Sequence, residues 1–486
     1  MLVAREFMNY INGQWVRSSA AATFEQRNPA NLDEVTGVFQ RSSAADAGAA
    51  LEAAAGAFPA WSALPVTERA ELMKKVLDGM KARKDLLAEV LTRENGKTLR
   101  ESHAEILSAL REMEFQIHQG VRLCGQTVPS SMPGVFAYSI RRPLGVVSIM
   151  SPWNFPLNVP CRKMTPALMA GNTCVFKPAS LTPQTGLRFL ELFIDAGFPP
   201  GVVNFVTGPG PAVGGEMTAN PLVRAVSFTG STEVGRAINE KAARIMARTQ
   251  LEMGGKNPVV VLEDADLAEA ASAASAAAYA CAGQWCTSTS RAVVVKKVAP
   301  EFLDRLLQKA KQLVVGNGLD DKTTMGPVCG AAQLESILKY IEIGRKEGAS
   351  VALGGRRLTG ASYDKGCFVE PTVFTGVKPG MRIAREEIFG PVLSVIEAAD
   401  FDEAVEIANK VDFGLCSSIF TRDLRSAFTF LERTEVGLAH VNLMTALKEP
   451  QLTFGGIKAS GFGIPEAGET GIEFFTEHKV VYVKYR

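Results

Sequence analysis

Histidine is scarce in this chain. Four occur among 486 residues, at 103, 118, 440 and 478, and none lies near another in sequence. A closed zinc site needs several soft ligands at short spacing. The eight cysteines (124, 161, 174, 281, 286, 329, 367 and 416) are scattered without a CxxC pair, so no metal is expected. A disulfide framework is equally out of place in so large a chain of a reducing compartment. Charge of either sign is not in excess. The net value of +1 argues against nucleic acid or a membrane surface as partner and leaves small molecules as the default. No stretch reaches the roughly 18 apolar residues of a membrane span. The N-terminal stretch MLVAREFMNYINGQW carries Arg5 and Glu6 and lacks the apolar run of a signal peptide, so a cytoplasmic location is expected. Internal repeats, disordered linkers and low-complexity segments are absent apart from one alanine run.

What is present is an ordinary globular composition, 47% hydrophobic and 21% charged, over a length that suits two or three domains. Periodicity predicts helices over 44–60, 67–92 and 98–120. Alternation over 135–141 suggests an exposed strand. The continuous apolar run GVVSIM (145–150) reads as a parallel strand covered on both faces. A helix ending at Gly171 follows, then a strand over 173–178, a helix over 182–196, strands over 202–208 and 225–230, and a helix opening at Ser231. A second series starts near 252, with a strand at PVVVL, the alanine-rich helix 266–282, a strand over 291–297 and a helix over 300–313. Strands alternating with helices predict an α/β fold with parallel sheets. Ligands in such sheets sit beyond the carboxyl ends of the strands, so the loops SPWNFP, KPAS, TGPGP and FTGSTEVG are the informative ones. The β-branched tail HKVVYVKYR reads as a strand that would cover the edge offered by 135–141.

Each candidate side chain has two readings. GPGPAVGG (208–215) and GSTEVG (230–235) follow strands and open helices, which suits phosphate binding or two tight turns; neither is the G-x-G-x-x-G fingerprint. Lys177 ends its strand as a ligand for ribose or phosphate or as a solvated charge. Asn154, between two prolines, is a fixed amide donor or a turn residue. Glu252, ahead of Gly254 and Gly255, is a general base or a surface carboxylate. Cys286, in GQWC, is a nucleophile, a metal ligand or core filler. No candidate loop contains histidine, which leaves a Cys–His hydrolase little support and an unpaired cysteine with a remote glutamate open.

The stretches SPWNFP, FKPAS, FTGSTEVG, LEMGGKNP, GQWC, EEIFGP and FGGIKASG occur in that order. Together they resemble the NAD(P)-dependent aldehyde dehydrogenase family over nearly the whole chain. The resemblance implies that Cys286 attacks an aldehyde to give a thiohemiacetal, with the Asn154 amide and the Cys286 N–H as oxyanion donors. Hydride transfer would leave a thioester, which water activated by Glu252 hydrolyses, and Lys163 would serve the proton relay. It implies cofactor contacts at Met150, Ser151, Trp153, Lys177, Ser180, Gly210, Phe228, Gly230, Ser231, Glu387 and Phe389. The glutamate commonly found past the FGG motif does not align; Pro465 takes its place, with Glu466 next to it.

Many NAD-preferring members carry glutamate where this chain has Ser180, and a neutral residue beside Lys177 leaves room for a 2′-phosphate. NADP is therefore expected to be favoured over NAD. Arg162 stands where semialdehyde members bind a substrate carboxylate. A second family arginine is replaced by Ala280, and the cysteine expected after the nucleophile by Ser288. The substrate expectation is a semialdehyde such as succinate semialdehyde or 2,5-dioxopentanoate, contacted by Phe155, Arg162, Trp285 and Thr287. The walls Phe155 and Trp285 also suit a plain aliphatic or aromatic aldehyde. The family fold implies a cofactor domain (1–123 and 143–251), a catalytic domain (252–453), a small bridging domain (124–142 and 454–486), and a homo-oligomer, dimer or tetramer.

Overall fold

The computed structural model describes residues 5–486; residues 1–4, which begin the N-terminal stretch considered above, lie outside the described residues. Two open sheets organise the chain. The first has eight strands, in the order Gly461–Phe462, Arg248–Glu252, Val223–Thr229, Val146–Met150, Thr173–Lys177, Val203–Phe205, Asn9–Ile11, Gln14–Val16. Its five central strands are parallel. The chain enters at Val146–Met150, steps twice to one side, then returns to place Val223–Thr229 on the other. That reversal creates a crevice beyond Met150 and Thr229, where α/β sheets receive ligands. The apolar run at 146–150 is buried on both faces: Val147 and Ile149 join one core with Phe176 and Phe205, while Val146 and Met150 join another with Val226 and Leu251.

The second sheet has seven strands, in the order Ser350–Leu353, Thr372–Thr375, Val392–Ala398, Thr289–Val295, Asn257–Val261, Cys416–Phe420, Leu438–Val441. A third core, built on valines 259–261 and 293–295, surrounds it. A separate three-stranded sheet pairs Thr476–Lys484 antiparallel with Val135–Pro143, from Thr476↔Pro143 to Lys484↔Val135, and adds Thr127–Val128 on the far side. The tail thus covers the edge as the sequence predicted. Among the described residues no helix is long and apolar enough to cross a membrane.

Three elements depart from the expected boundaries. The helix expected over 67–92 is two, Val66–Ala82 and Lys84–Asn95, because Arg83 leaves helical geometry (φ −106°, ψ 17°) and ends one while starting the other. The break lets Met73 and Val76 on one side and Leu87 on the other enter the same core. The alanine-rich helix stops at Tyr279. Cys281 and Ala282 then take left-handed backbone angles (φ 51° and 54°), a cost that non-glycine residues bear only when neighbours enforce it. Alanine's helix propensity conceals this stop. The turn after Gly208 is a π-helical turn, Gly210–Gly214, running into the short helix Gly215–Ala219.

Candidate active site

A cavity of about 870 Å³ opens between the two large sheets, and Trp153, Asn154, Phe155, Arg162, Gly230, Ser231, Glu252, Trp285, Cys286, Glu387 and Phe389 line it. These expected residues come from chain segments over 200 residues apart, so the fold itself assembles them. Lys163 is fully buried off the wall and reaches the same carboxylate as Arg162, that of Glu466. Met150, Ser151, Lys177, Ser180, Gly210 and Phe228 lie off the cavity wall, at or just beyond the carboxyl ends of the parallel strands; Met150 pairs in register with both Lys177 and Phe228. Thr287 is not among the residues that line the cavity; its carbonyl accepts from Thr445 Oγ1 at 2.7 Å, and its buried Oγ1 has no partner.

The left-handed turn fixes the Cys286 loop. The Cys281 N–H donates to Glu101 Oε1 at 2.7 Å, and Glu101 is itself held by the capping box that starts the helix Leu99–Val121 at Thr98. Gly283 admits no side chain, since a Cβ there would stand 2.2 Å from the Gly390 carbonyl oxygen. Beyond the turn, Asn257 Nδ2 donates to the Cys286 and Ser288 carbonyls at 2.7 and 2.9 Å. Cys286 is partly open to the cavity, yet burial pushes its thiol up to about 12, against the pull of Arg162. Burial thus disfavours the thiolate, and the proton must be drawn off for the sulfur to act as a nucleophile.

Asn154 donates one amide N–H to the Gln284 carbonyl at 3.1 Å. A carboxamide has two such hydrogens, so one remains for an oxyanion beside Cys286. The loop carrying it is tied along its length. Asn95 Nδ2 donates to the Trp153 carbonyl at 2.9 Å, Lys97 Nζ to the Asn154 carbonyl at 2.6 Å, and Glu105 Oε1 accepts from the Leu157 and Asn158 N–H groups at 2.9 and 3.1 Å. Lys97 and Glu105 form a fully buried ion pair at 2.6 Å. Phe155 lies under the Lys97 ammonium, 4.1 Å from ring centroid to Nζ, and against Trp285, with centroids 5.0 Å apart.

Glu252 ends its strand fully buried, with Oε2 lacking a partner. Burial, then the charge of Glu466, raises its carboxyl well above the ordinary range; Lys163 and Arg162 oppose them. Gly455 leaves the necessary room, since a Cβ there would sit 3.0 Å from Glu252 Oε1. Glu466, next to Pro465, is the carboxylate that reaches Lys163 and Arg162. The strand Glu466–Ala467 pairs with Thr453–Phe454 and directs the Glu466 carboxylate onto Lys163 and Arg162. Burial resists its ionisation, but the two cations outweigh it and hold it below the usual carboxylate range. Lys163 also donates to Ser227 Oγ at 2.9 Å, and Ser227 to Gln250 Oε1 at 2.8 Å.

Arg162 is 4% exposed and stacks on Phe454, 4.4 Å from its ring centroid. Its Nε lies 2.8 Å from Glu466 Oε2, but the N–H is not aligned for a hydrogen bond, so the contact is Coulombic. Nη1 has no partner at all. A buried guanidinium with an idle N–H group on a cavity wall is equipped to receive an oxyanion.

The residues beyond the strand ends fit a dinucleotide. Lys177 is buried with only the Pro178 carbonyl in reach, at 3.2 Å, and burial lowers its ammonium to about 8. Ser180 Oγ donates to the Gly208 carbonyl at 3.3 Å. Gly230 has no room for a Cβ, which would meet the Phe228 ring at 2.4 Å, and Ser231 caps the helix Thr232–Arg244. Glu387 Oε1 accepts from the Gly255 N–H at 2.9 Å, and burial raises its carboxyl to about 7. Trp153 and Phe389 meet edge to face at 5.3 Å.

Comparison with known proteins follows the same lines. Residues 15–481 match the aldehyde dehydrogenase family. An alpha-ketoglutaric semialdehyde dehydrogenase of Bacillus subtilis is 42% identical over 478 residues, 98% of each chain. A 2,5-dioxopentanoate dehydrogenase of Saccharolobus solfataricus is 40% identical over 472 residues, 96% of this chain and 98% of its own. Among solved structures, a 3,6-anhydro-L-galactose dehydrogenase in complex with NADP superposes with a TM-score of 0.96 at 36% identity, covering 98% of this chain and all of its own. Betaine aldehyde dehydrogenase of Staphylococcus aureus in complex with NAD+ gives 0.96 at 34%, covering 99% and 95%.

Proposed function

The chain belongs to the aldehyde dehydrogenase family, and on that premise we propose that it oxidises an aldehyde with a carboxylate at its far end, 2,5-dioxopentanoate foremost. The observation that carries this reading is Arg162, a buried guanidinium on the cavity wall with Nη1 unpaired. The activities for which the relatives at 40–42% identity are named support it. The aromatic walls Phe155 and Trp285 favour a second reading, a broad-specificity aldehyde dehydrogenase.

The chemistry begins with proton removal. Cys286 gives up its proton to solvent water, and the sulfur bonds to the aldehyde carbon. The carbonyl oxygen becomes an oxyanion that the Asn154 amide and the Cys286 N–H stabilise; one such donor is worth about 3 kcal/mol. When bound, the oxidised nicotinamide supplies the hydride acceptor that turns this thiohemiacetal into a thioester. Lys177 and Ser180 would hold the adenosine ribose end, Gly230 and Ser231 the pyrophosphate, and Glu387 the nicotinamide ribose. Glu252 then takes a proton from water as its oxygen adds to the thioester carbon. Collapse expels the Cys286 thiolate and releases the acid. The Lys163–Glu466 pair sets the charge around Glu252 and offers its proton a route away.

Ser180 beside Lys177 favours NADP over NAD, since no carboxylate there opposes a 2′-phosphate. The domain division is that of the family: a cofactor domain (1–123 and 143–251), a catalytic domain (252–453) and a bridging domain (124–142 and 454–486). Val480 and Tyr482 are 59% and 66% exposed on the tail strand, which suits burial in a homodimer or homotetramer. Eight free thiols suit the cytoplasm.

The test is a kinetic panel of straight-chain, aromatic and carboxylated aldehydes with both cofactors, compared by kcat/KM. Arg162→Ala should raise KM for acidic aldehydes far more than for neutral ones. An equal rise for both would remove the carboxylate argument.

A further inference from the structure

Outward from Arg162, the cavity wall carries a further, mostly buried cation. Lys448, on the loop over 442–452, lines the cavity with only 18% of its side chain exposed, and its Nζ lies 3.3 Å from Glu112 Oε2. Three cations, Arg162, Lys163 and Lys448, thus cluster around two paired carboxylates, Glu466 and Glu112. The third carboxylate, Glu252, is the one pushed toward its neutral form. Glu105, also on the wall, is taken by Lys97, Glu387 accepts from the Gly255 N–H, and the wall also carries the exposed Arg111 and Glu449.

Unsatisfied atoms sit in the same place: Arg162 Nη1 and Glu112 Oε1 are buried without partners. Arg162 interacts electrostatically with both Cys286 and Lys448, which makes it the inner cation and Lys448 the outer one. Burial and the repulsion of Arg162 both act against the Lys448 ammonium, with Glu112 opposing them.

We infer that Lys448 is a second specificity-determining cation, which together with Arg162 grips the 2-oxo-carboxylate head of a 2-oxo acid semialdehyde. This rests on the carboxylated-aldehyde reading given above. The chemistry of the two side chains suits a division of labour. A planar guanidinium matches the two oxygens of a carboxylate, whereas an ammonium is a compact donor of three N–H groups. An adjacent keto oxygen and carboxylate oxygen offer that ammonium two acceptors at once. Succinate semialdehyde lacks the keto oxygen and is one carbon shorter, so it leaves the outer cation underused.

The experiment compares wild type, Lys448→Met, Lys448→Arg and the double variant Glu112→Gln/Lys448→Met on 2,5-dioxopentanoate, succinate semialdehyde and pentanal at saturating cofactor. In Lys448→Met, the kcat/KM ratio of 2,5-dioxopentanoate to pentanal should fall about 10–100-fold, mainly through KM, with a smaller fall for succinate semialdehyde. Lys448→Arg should recover most of the ratio. The double variant, which leaves no stranded carboxylate, should lose as much as Lys448→Met. A ratio restored in the double variant, or a loss equal across all three aldehydes, would overturn the inference by assigning the effect to Glu112 or to the fold. A wild type that prefers acidic aldehydes with a ratio unmoved in Lys448→Met removes Lys448 alone. A wild type without that preference removes the carboxylate reading and this inference with it.

Discussion

The Lys97 ammonium donates to the backbone carbonyl of Asn154 at 2.6 Å, so the residue offered as oxyanion donor is held from behind by a buried charge. Lys97 also neutralises Glu105, which binds two further N–H groups of the same loop. Replacing Lys97 by Met strands that carboxylate, and breaking a buried pair in this way costs about 3–5 kcal/mol. We expect Lys97→Met to lower both the denaturant midpoint and kcat. Lys97→Met/Glu105→Gln should recover stability more than kcat, because the Asn154 carbonyl stays untethered. Equal recovery of both would make the pair purely structural.

Cys286 and Glu252 separate the two halves of the reaction. Cys286→Ala should abolish aldehyde oxidation while cofactor binding, followed by fluorescence titration, persists. Glu252→Gln should give an initial burst of reduced cofactor and then stall with the acyl-enzyme accumulated. A variant that stalls without a burst counts against a role confined to hydrolysis, and intact-mass detection of the acylated chain distinguishes the cases.

The pH dependence follows from charge signs. Glu252 acts when deprotonated, and its carboxyl is raised above the ordinary range. The turnover number should therefore rise with pH along a limb displaced above that of an ordinary carboxylate. Lys163 is one of the cations that lower it. Lys163→Met removes that attraction, favours the protonated carboxyl and should move the limb to still higher pH. A limb unmoved in this variant would uncouple Lys163 from the base.

Ser180 gives the cofactor prediction. Ser180→Glu places a carboxylate beside Lys177, where it accepts from ribose hydroxyls and repels a 2′-phosphate. The kcat/KM ratio of NADP to NAD should fall about 10–100-fold. A ratio that does not change would place the phosphate elsewhere.

Much of this was legible in the sequence because the chemistry sits next to punctuation. Asn154 lies between prolines, Glu252 before two glycines and Cys286 after Gly283, so each stands in a loop whose shape the chain dictates locally. The parallel strands announced themselves as short apolar runs buried on both faces. Glu466 was not placed, because one step of spacing separated it from the expected position, and only the pairing of Glu466–Ala467 with Thr453–Phe454 shows which way its carboxylate turns. Lys97, Glu105, Glu112 and Lys448 carried no local signal at all. Their partners lie as far as 336 residues away, and on their own helices and loops they read as ordinary surface charges. The helix break at Arg83 and the left-handed Cys281–Ala282 pair were hidden for a related reason: tertiary contacts overrode local propensity there.

The late position of Glu466 and of the tail strand has a consequence for how the protein is made. Synthesis runs from the N-terminus, yet the carboxylate that orders Lys163 and Arg162, the strand Gly461–Phe462 that edges Arg248–Glu252, and the residues that zip onto Val135–Pro143 all emerge only after residue 460. A nascent chain can form its central parallel strands early, but Cys286 and Glu252 remain without their surrounding charges until residues 461–484 have been made. Assembly of the site is thus tied to synthesis through residue 484, and a product stopped before residue 461 would carry Cys286 and Glu252 without the charges and strands that surround them.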